Sequence, residues 1–277
     1  MSRLTALLAL ALTACPLSAA APARGDAQFD GAAAWAFLVR QVELGPRPAG
    51  SPASRQLGAV LRASVPAGRF QSVPGGLRNV VGVVPGRRPG RVVVIGAHYD
   101  TKDLDGFVGA NDNASGVAVV RQLARTIRPR TLRPTVVFVF FDGEETPRDA
   151  PDPSILRSGL RGSKVAARSL RGAQAMILVD LVGDRSLAIR RDARADAELW
   201  RRLLAASTAA GTRRHFTSRR TEILDDHVPF AQAGVRTLPL VDLDFRCWHE
   251  QCDDLSAVSR ASLTAVGRTL LELLGRL

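Results

Sequence analysis

The sequence predicts an α/β fold, a three-layer α/β/α sandwich in which helices cover both faces of a mostly parallel sheet. Five short apolar runs rich in β-branched residues are bounded by turn residues, as in strands buried on both faces. Helical stretches lie between them, and this alternation is typical of parallel sheets. The predicted strands are residues 80–84, 92–97, 136–141, 175–179 and 237–241.

The predicted helices complete this order. They cover residues 32–42, 55–63, 116–126, 164–169, 195–209 and 261–274. Residues 45–52 read Gly-Pro-Arg-Pro-Ala-Gly-Ser-Pro and must form a loop, because each proline and glycine interrupts regular structure. A chain of 277 residues can bury one full hydrophobic core, so we expect one catalytic domain over residues 24–277.

The composition excludes several classes of protein. Hydrophobic residues make up 46% of the chain and charged residues 23%, which excludes a disordered or fibrous chain. The net charge of +12 comes mainly from arginine pairs scattered along the sequence. A nucleic-acid-binding protein would cluster basic residues with stacking aromatic residues or a known reading motif, and neither occurs. We therefore expect no nucleic-acid partner.

The N-terminus has the pattern of an export signal. Arg3 precedes the apolar residues 4–14, a run too short for a transmembrane helix but suited to a signal-peptide core. The run ends in Leu12-Thr13-Ala14-Cys15, which resembles a bacterial lipoprotein cleavage box, whereas residues 18–23 offer an ordinary small-residue cleavage site. We expect a signal peptide at residues 1–23 and a periplasmic, lipid-anchored or secreted protein, with membrane contact only through lipid on Cys15.

The other two cysteines, Cys247 and Cys252, are close in sequence. In an oxidising compartment they form a candidate disulfide, which would leave Cys15 as the odd cysteine. The alternative is two free thiols, or thiolates near a metal. Geometry decides between these readings, and the sequence leaves both open.

Acidic and histidine residues lie just beyond the carboxyl ends of the predicted strands, and one more precedes the helix predicted near residue 116. Ligands bind at this edge of an open α/β sheet, so we expect these side chains to converge. The group consists of His98, Asp112, Glu144, Glu145, Asp180 and His249. Each alone has an ordinary structural explanation, such as a helix N-cap for Asp112.

Together, these residues predict a metal site. Burying several carboxylates side by side is unfavourable unless a cation compensates them. Oxygen and nitrogen donors suit zinc, whose catalytic sites keep a position for water. The predicted zinc ligands are His98, Asp112, Glu145, Asp180 and His249, with Asp112 able to bridge two ions. Asp100 is expected either to accept an imidazole N–H from His98 and orient it, or to be an exposed turn residue.

Three strings in this region resemble the zinc aminopeptidase and glutaminyl cyclase superfamily, and the similarity runs from about Gly45 to the C-terminus. The strings are Gly96-Ala97-His98-Tyr99-Asp100-Thr101, Gly109-Ala110-Asn111-Asp112-Asn113-Ala114-Ser115-Gly116 and Phe141-Asp142-Gly143-Glu144-Glu145. The resemblance implies a zinc exopeptidase-like fold with a mixed, mostly parallel sheet, one or two zinc ions held by the five predicted ligands, and Glu144 as the general acid/base.

Other segments look like the glutaminyl-peptide cyclotransferase branch. They are His98-Tyr99-Asp100-Thr101-Lys102, Leu178-Val179-Asp180-Leu181-Val182-Gly183, Asp225-Asp226-His227-Val228-Pro229-Phe230 and Trp248-His249. In that branch the residue matching Asp225 belongs to the hydrogen-bond network around the substrate, and the tryptophan matching Trp248 lines the substrate pocket. The ordinary alternatives are a loop salt bridge or cap for Asp225 and core packing for Trp248.

We expect a monomer. The resemblance implies an enzyme that acts on peptide or protein N-termini and converts N-terminal glutamine to pyroglutamate. There are departures from the cyclase pattern. Residues 146–151 lack the tryptophan that cyclases commonly carry there, and Asn113-Ala114-Ser115-Gly116 looks more like the peptidase branch. The alternative is a zinc aminopeptidase. A third hypothesis, an inactive binding domain, is disfavoured because Glu144 and the ligands are all retained.

Overall fold

The computed structural model describes residues 28–277. The predicted signal peptide and Cys15 lie outside the described residues. The helices are α1 Gly31–Glu43, α2 Pro52–Ser64, α3 Ala114–Thr126, α4 Ile155–Ser158, α5 Arg161–Ser169, α6 Ala197–Ala209, α7 His227–Gln232 and α8 Arg260–Gly275. The strands are β1 Arg69–Val73, β2 Leu77–Val84, β3 Arg88–His98, β4 Pro134–Phe141, β5 Ala175–Asp180, β6 Ile189–Asp192, β7 Phe216–Thr221 and β8 Thr237–Val241.

The central sheet is mixed and mostly parallel, with the order β1-β2-β4-β3-β5-β8. Strands β4, β3, β5 and β8 pair in parallel, whereas β1 and β2 form an antiparallel edge beside β4. The residues of β5 are all buried, as the apolar run predicted. All five predicted strands are present, and the fold class is confirmed.

Apolar side chains cover the sheet on both faces. On one face, residues of α1, α3 and α8, such as Leu38, Val117 and Leu270, pack in one cluster with Ile95 of β3. On the other face, Ala166 of α5 and Phe230 of α7 pack with strand residues. Removing apolar area from water is the main favourable term in folding. This burial therefore fixes the three-layer arrangement.

Several elements were not predicted, and each lacks a continuous apolar pattern. Strand β1 is one of the two edge strands of the central sheet, and most of its side chains are exposed or half-buried. Strands β6 and β7 pair in parallel in a separate two-stranded sheet in which Arg219 and Arg220 are exposed. Helix α7 has six residues, too few to display a helical period. Within residues 28–277, no helix combines the length and hydropathy needed to span a bilayer.

Candidate metal centre and active site

Two parallel strands bring predicted ligands to the same edge of the sheet. His98 is the last residue of β3 and Asp180 is the last residue of β5. His98 pairs in register with Phe141, the last residue of β4, so Glu144 and Glu145 follow β4 at the same level. The convergence predicted from the strand ends is therefore present in the structure.

Asp112 comes from the loop before α3 and faces both histidines. Its Oδ1 lies 3.2 Å from Nε2 of His98, and its Oδ2 lies 3.3 Å from Nε2 of His249. The N-cap of α3 is the next residue, Asn113, whose side chain accepts a hydrogen bond from the backbone N–H of Gly116 at 2.8 Å. Asp112 is thus not needed as the helix cap, and its carboxylate points into the site.

The donor atoms form two overlapping groups that share Asp112. In each group the donor atoms lie within 4.8 Å of one another; the groups are His98, Asp112 and Asp180, and Asp112, Glu145 and His249. Nε2 of His249 is 3.3 Å from Oε1 of Glu145, and Nε2 of His98 is 3.6 Å from Oδ1 of Asp180. Two donors bound tetrahedrally to zinc at its usual bond lengths stand about 3.3 Å apart. The donor set therefore fits zinc in both type and spacing.

Burial and charge also indicate a cation at this position. Oδ1 of Asp180 is buried and has no hydrogen-bond partner among the described residues. Burial raises the pKa of Asp180 above its ordinary value. Burial would also raise the pKa of Asp112, but hydrogen bonds with His249 and His98 outweigh this effect and lower it. A divalent ion would satisfy the unpaired oxygen and compensate the carboxylates.

Asp100 contacts both the histidine and the glutamate pair, through different atoms. Nδ1 of His98 lies 3.1 Å from the backbone carbonyl of Asp100, so the carbonyl, rather than the predicted carboxylate, accepts the imidazole N–H. The Asp100 carboxylate lies 3.7 Å from Nδ1 and accepts the backbone N–H groups of Glu144 and Glu145, both at 3.2 Å. The carbonyl fixes the tautomer that leaves Nε2 free for a metal.

Glu144 lies in the site but belongs to neither group of metal donors. Burial raises the pKa of Glu144 well above its ordinary value, and the neighbouring carboxylates of Glu145, Asp225 and Asp226 raise it further. A carboxyl group with a raised pKa can both accept and donate a proton near neutral pH. The position and environment of Glu144 suit a general acid/base.

Asp225 is buried beside Asp180, and the two carboxyl groups are within hydrogen-bonding reach. Burial raises the pKa of Asp225 well above its ordinary value, and the charge of Asp180 adds to the effect. Two adjacent carboxyl groups do not readily ionise together. Burial and the neighbouring carboxylate thus both disfavour ionisation of Asp225 beside Asp180. This environment argues against the alternative of a loop salt bridge.

A cavity of about 380 Å³ lies in front of these residues. Besides the metal donors, its lining includes Lys102, Glu144, Ile155, Leu224, Asp225 and Trp248. Trp248 is 48% exposed, and its ring lies against His249 with the centroids 4.7 Å apart. Trp248 is thus at the cavity wall and not in the core.

Cys247 and Cys252 form a disulfide in the structure, which decides between the two readings of the sequence. Their Cα atoms are 5.3 Å apart, within the range that a disulfide spans. The closed loop contains Trp248 and His249, and His249 has a left-handed backbone conformation with φ of 58°. Because both sulfur atoms are in the disulfide, the cysteines do not act as metal ligands.

Three further residues beside the site were not predicted to have a role there. Nζ of Lys102 lies 2.9 Å from Oε2 of Glu145. Arg47 is fully buried and donates to backbone carbonyls of the loop that leads to Asp112. Asp253 accepts the backbone N–H of Asp112. Lys102 lies four residues after His98, and Asp253 lies four residues after His249. This spacing from a predicted ligand was the available sequence signal for a role at the site. The sequence around Arg47, a loop rich in proline and glycine, contains no such signal.

Comparison with known proteins agrees with this geometry. The family model described as peptidase family M28 matches residues 79–274, a segment that includes all five predicted ligands. The chain belongs to peptidase family M28. Among the curated proteins related to this chain, the glutaminyl-peptide cyclotransferase of Bothrops jararaca is 30% identical over 245 residues, covering 73% of this chain and 67% of that protein.

Solved structures of a glutaminyl cyclase and of an aminopeptidase precursor are both similar to this chain. A glutaminyl cyclase from an Acidobacteriales bacterium is 27% identical with a TM-score of 0.78, and the match covers 93% of this chain and 98% of that one. A leucine aminopeptidase precursor from Bacteroides thetaiotaomicron is 23% identical with a TM-score of 0.80, covering 90% and 98%. At 23% identity the second match shows a shared fold alone.

Proposed function

We propose that this protein is a zinc-dependent glutaminyl-peptide cyclotransferase that converts the N-terminal glutamine of peptides or proteins to pyroglutamate and releases ammonia. Relatives with this activity match most of the chain in sequence and structure. The donor set at the sheet edge fits the zinc ion that the reaction requires. The proposed ligands are His98, Asp112, Glu145, Asp180 and His249.

The observation that carries this proposal is the placement of two buried carboxyl groups with raised pKa in the same cavity as the metal donors. Glu144 and Asp225 both line that cavity. Cyclisation needs a group that takes a proton from the attacking amine and returns one to the leaving ammonia. Glu144 has the environment for this transfer, and Asp225 has the environment to hold its proton and orient Asp180.

Zinc would supply a Lewis acid that polarises the side-chain amide carbonyl of the glutamine. Glu144 accepts a proton from the α-amine as its nitrogen bonds to the amide carbon. Glu144 then donates that proton to the amide nitrogen as the carbon–nitrogen bond breaks and ammonia leaves. Trp248 covers the side of the cavity next to His249 and provides an apolar wall for the substrate.

A zinc aminopeptidase is the second candidate, and one observation favours it. Asp112 presents one carboxylate oxygen to each group of donors, which is the arrangement of a ligand that bridges two metal ions. Two metal ions held by these residues would supply an activated water as the nucleophile for peptide hydrolysis. The proton-transfer role of Glu144 is the same in both reactions, so the nucleophile distinguishes them.

A pair of peptides separates the two reactions. The peptides are identical except for the first residue, glutamine in one and leucine in the other, and each is incubated with and without a zinc chelator. We expect ammonia from the glutamine peptide only, and none with the chelator. Release of free leucine without ammonia would contradict the cyclase assignment and leave the aminopeptidase.

We further propose that residues 24–277 form one catalytic domain, monomeric and exported to the bacterial envelope. The apolar residues 4–14 and Cys15 support a signal peptide with a lipid attached at the cysteine, and residues 18–23 support ordinary cleavage instead. Mass spectrometry of the mature N-terminus in wild type and Cys15→Ala tests this. A mature chain that retains residues 1–14 would contradict export by either route.

A further inference from the structure

We infer that Asp253 is a positioning residue for the metal ligand Asp112, and that the Cys247–Cys252 disulfide holds Asp253 in place. The inference rests on the proposed metal ligation by Asp112 and His249. It concerns how these two ligands are kept in the geometry that zinc requires.

Asp253 accepts hydrogen bonds from consecutive backbone amides of the loop that carries Asp112. Its Oδ1 accepts the N–H of Asn111 at 2.6 Å and its Oδ2 accepts the N–H of Asp112 at 3.0 Å. The backbone carbonyl of Asp253 accepts the N–H of Ala110 at 3.1 Å. Asp253 is 0% exposed, so water does not compete for these bonds. One residue thus fixes three successive peptide groups up to the ligand.

Arg47 holds the preceding part of the same loop. Its Nη1 donates to the carbonyl of Val108 at 2.9 Å, and its Nη2 donates to that of Gly109 at 3.4 Å. Gly109 has φ of 52°, and a Cβ atom there would lie 2.0 Å from the carbonyl oxygen of Asp112. The loop is therefore tightly folded, and Arg47 and Asp253 hold its two halves through their hydrogen bonds.

The disulfide links Asp253 to the second ligand. Asp253 directly follows Cys252, and His249 lies inside the loop that the disulfide closes. Within this loop the N–H of Glu250 donates to the carbonyl of Cys247 at 3.0 Å, and the N–H of Asp253 donates to the carbonyl of Glu250 at 3.0 Å. A single short loop therefore presents His249 and also sets the position of Asp112.

The substitution Asp253→Asn tests this role with little change in size. An asparagine side chain has only one acceptor oxygen, and its NH₂ group would face the second backbone N–H. One buried donor would be left unpaired, which is unfavourable, and the Asp112 loop would shift. Loss of a partner that orients a metal ligand typically weakens metal binding by about 10- to 100-fold, and we expect a zinc dissociation constant raised by that factor.

The experiment measures the zinc dissociation constant by chelator competition and the visible absorption spectrum of the Co²⁺-substituted protein. The variants are Asp253→Asn, the matched control Asp254→Asn and the ligand variant Asp112→Asn. Asp254 is the next residue, is half-buried and accepts the N–H of Ser256. We expect weaker zinc binding and an altered Co²⁺ spectrum in Asp253→Asn, and wild-type values in Asp254→Asn.

The outcomes separate this inference from the proposed ligation. If Asp112→Asn binds zinc as wild type does, the ligand assignment is wrong. If Asp112→Asn loses zinc but Asp253→Asn keeps the wild-type affinity and spectrum, the positioning role of Asp253 is wrong. If Asp253→Asn does not fold, the Cys247→Ser/Cys252→Ser variant decides, since we expect weaker zinc binding there as well and an unchanged dissociation constant would overturn the inference.

Discussion

The Asp100 carboxylate accepts the backbone N–H of Glu144 at 3.2 Å. Its other oxygen accepts the N–H of Glu145 at the same distance, and Asp100 is fully buried. The proposed general acid/base and a proposed zinc ligand therefore depend on one carboxylate for their backbone position.

Asp100→Asn should lower kcat by about 10- to 100-fold, because asparagine can accept only one of the two N–H groups and the glutamate pair loses its fixed position. Steady-state kinetics on a glutamine-initiated peptide measure this. The matched control is Asp103→Asn in the next turn, where the side chain is half exposed and near Arg148. A kcat for Asp100→Asn equal to that of the control would show that the two hydrogen bonds are dispensable.

Glu144→Gln should lower turnover by about 10²- to 10⁴-fold, the usual contribution of a general acid/base, while zinc stays bound. Glutamine keeps the size of the side chain but cannot transfer the proton. Turnover and zinc content are measured on the same preparation, with the exposed Glu250→Gln as control. Retained turnover would refute the role of Glu144, and loss of zinc would show that it is also a ligand.

Trp248→Ala should raise KM with little change in the temperature of unfolding, because the side chain is 48% exposed and lines the cavity. Trp248→Phe keeps an apolar ring at the wall and should have a smaller effect on KM. Kinetics and thermal unfolding are compared for the two variants. A large fall in unfolding temperature with unchanged KM would indicate a structural role instead.

The contribution of Asp242 to the free energy of unfolding should decrease as pH rises from about 4 to about 6. Burial raises its pKa from the ordinary value of 3.8 to about 6, so the folded protein binds this proton more tightly than the unfolded chain does. The stabilisation is complete below the unfolded pKa and is lost as pH passes the folded pKa. Urea unfolding at several pH values in this range measures the free energy of unfolding. That free energy should fall less steeply with pH in Asp242→Asn than in the wild-type protein. Equal slopes in the two proteins would contradict a raised pKa at Asp242.

The sequence was sufficient to predict the strands of the sheet interior and the place where the site forms. Strand β5 is an apolar run that is buried on both faces, and Asp180 ends it. In a parallel sheet, such a position is enough to predict convergence with His98. The edge strand β1 and the two-stranded sheet of β6 and β7 escaped prediction because exposed strands do not require an apolar pattern.

The residues that hold the site in position were harder to predict than the proposed metal ligands and the general acid/base. Arg47 and Asp253 act through contacts with backbone groups far away in the sequence, up to 142 residues for Asp253 and Asn111. A hydrogen bond to a backbone group imposes no side-chain type on its partner, so the sequence around residues 108–112 does not identify Arg47 or Asp253 as the partner. The cysteine pairing likewise depended on a distance that only the fold supplies.

We expect zinc to compensate the carboxylates and imidazoles that meet at this sheet edge. The most direct test is the zinc content of purified protein, measured together with ammonia release before chelation, after chelation and after zinc is restored. We expect bound zinc, loss of activity with the metal and recovery on its return. Protein that is active, free of zinc and insensitive to strong chelators would contradict this role of zinc.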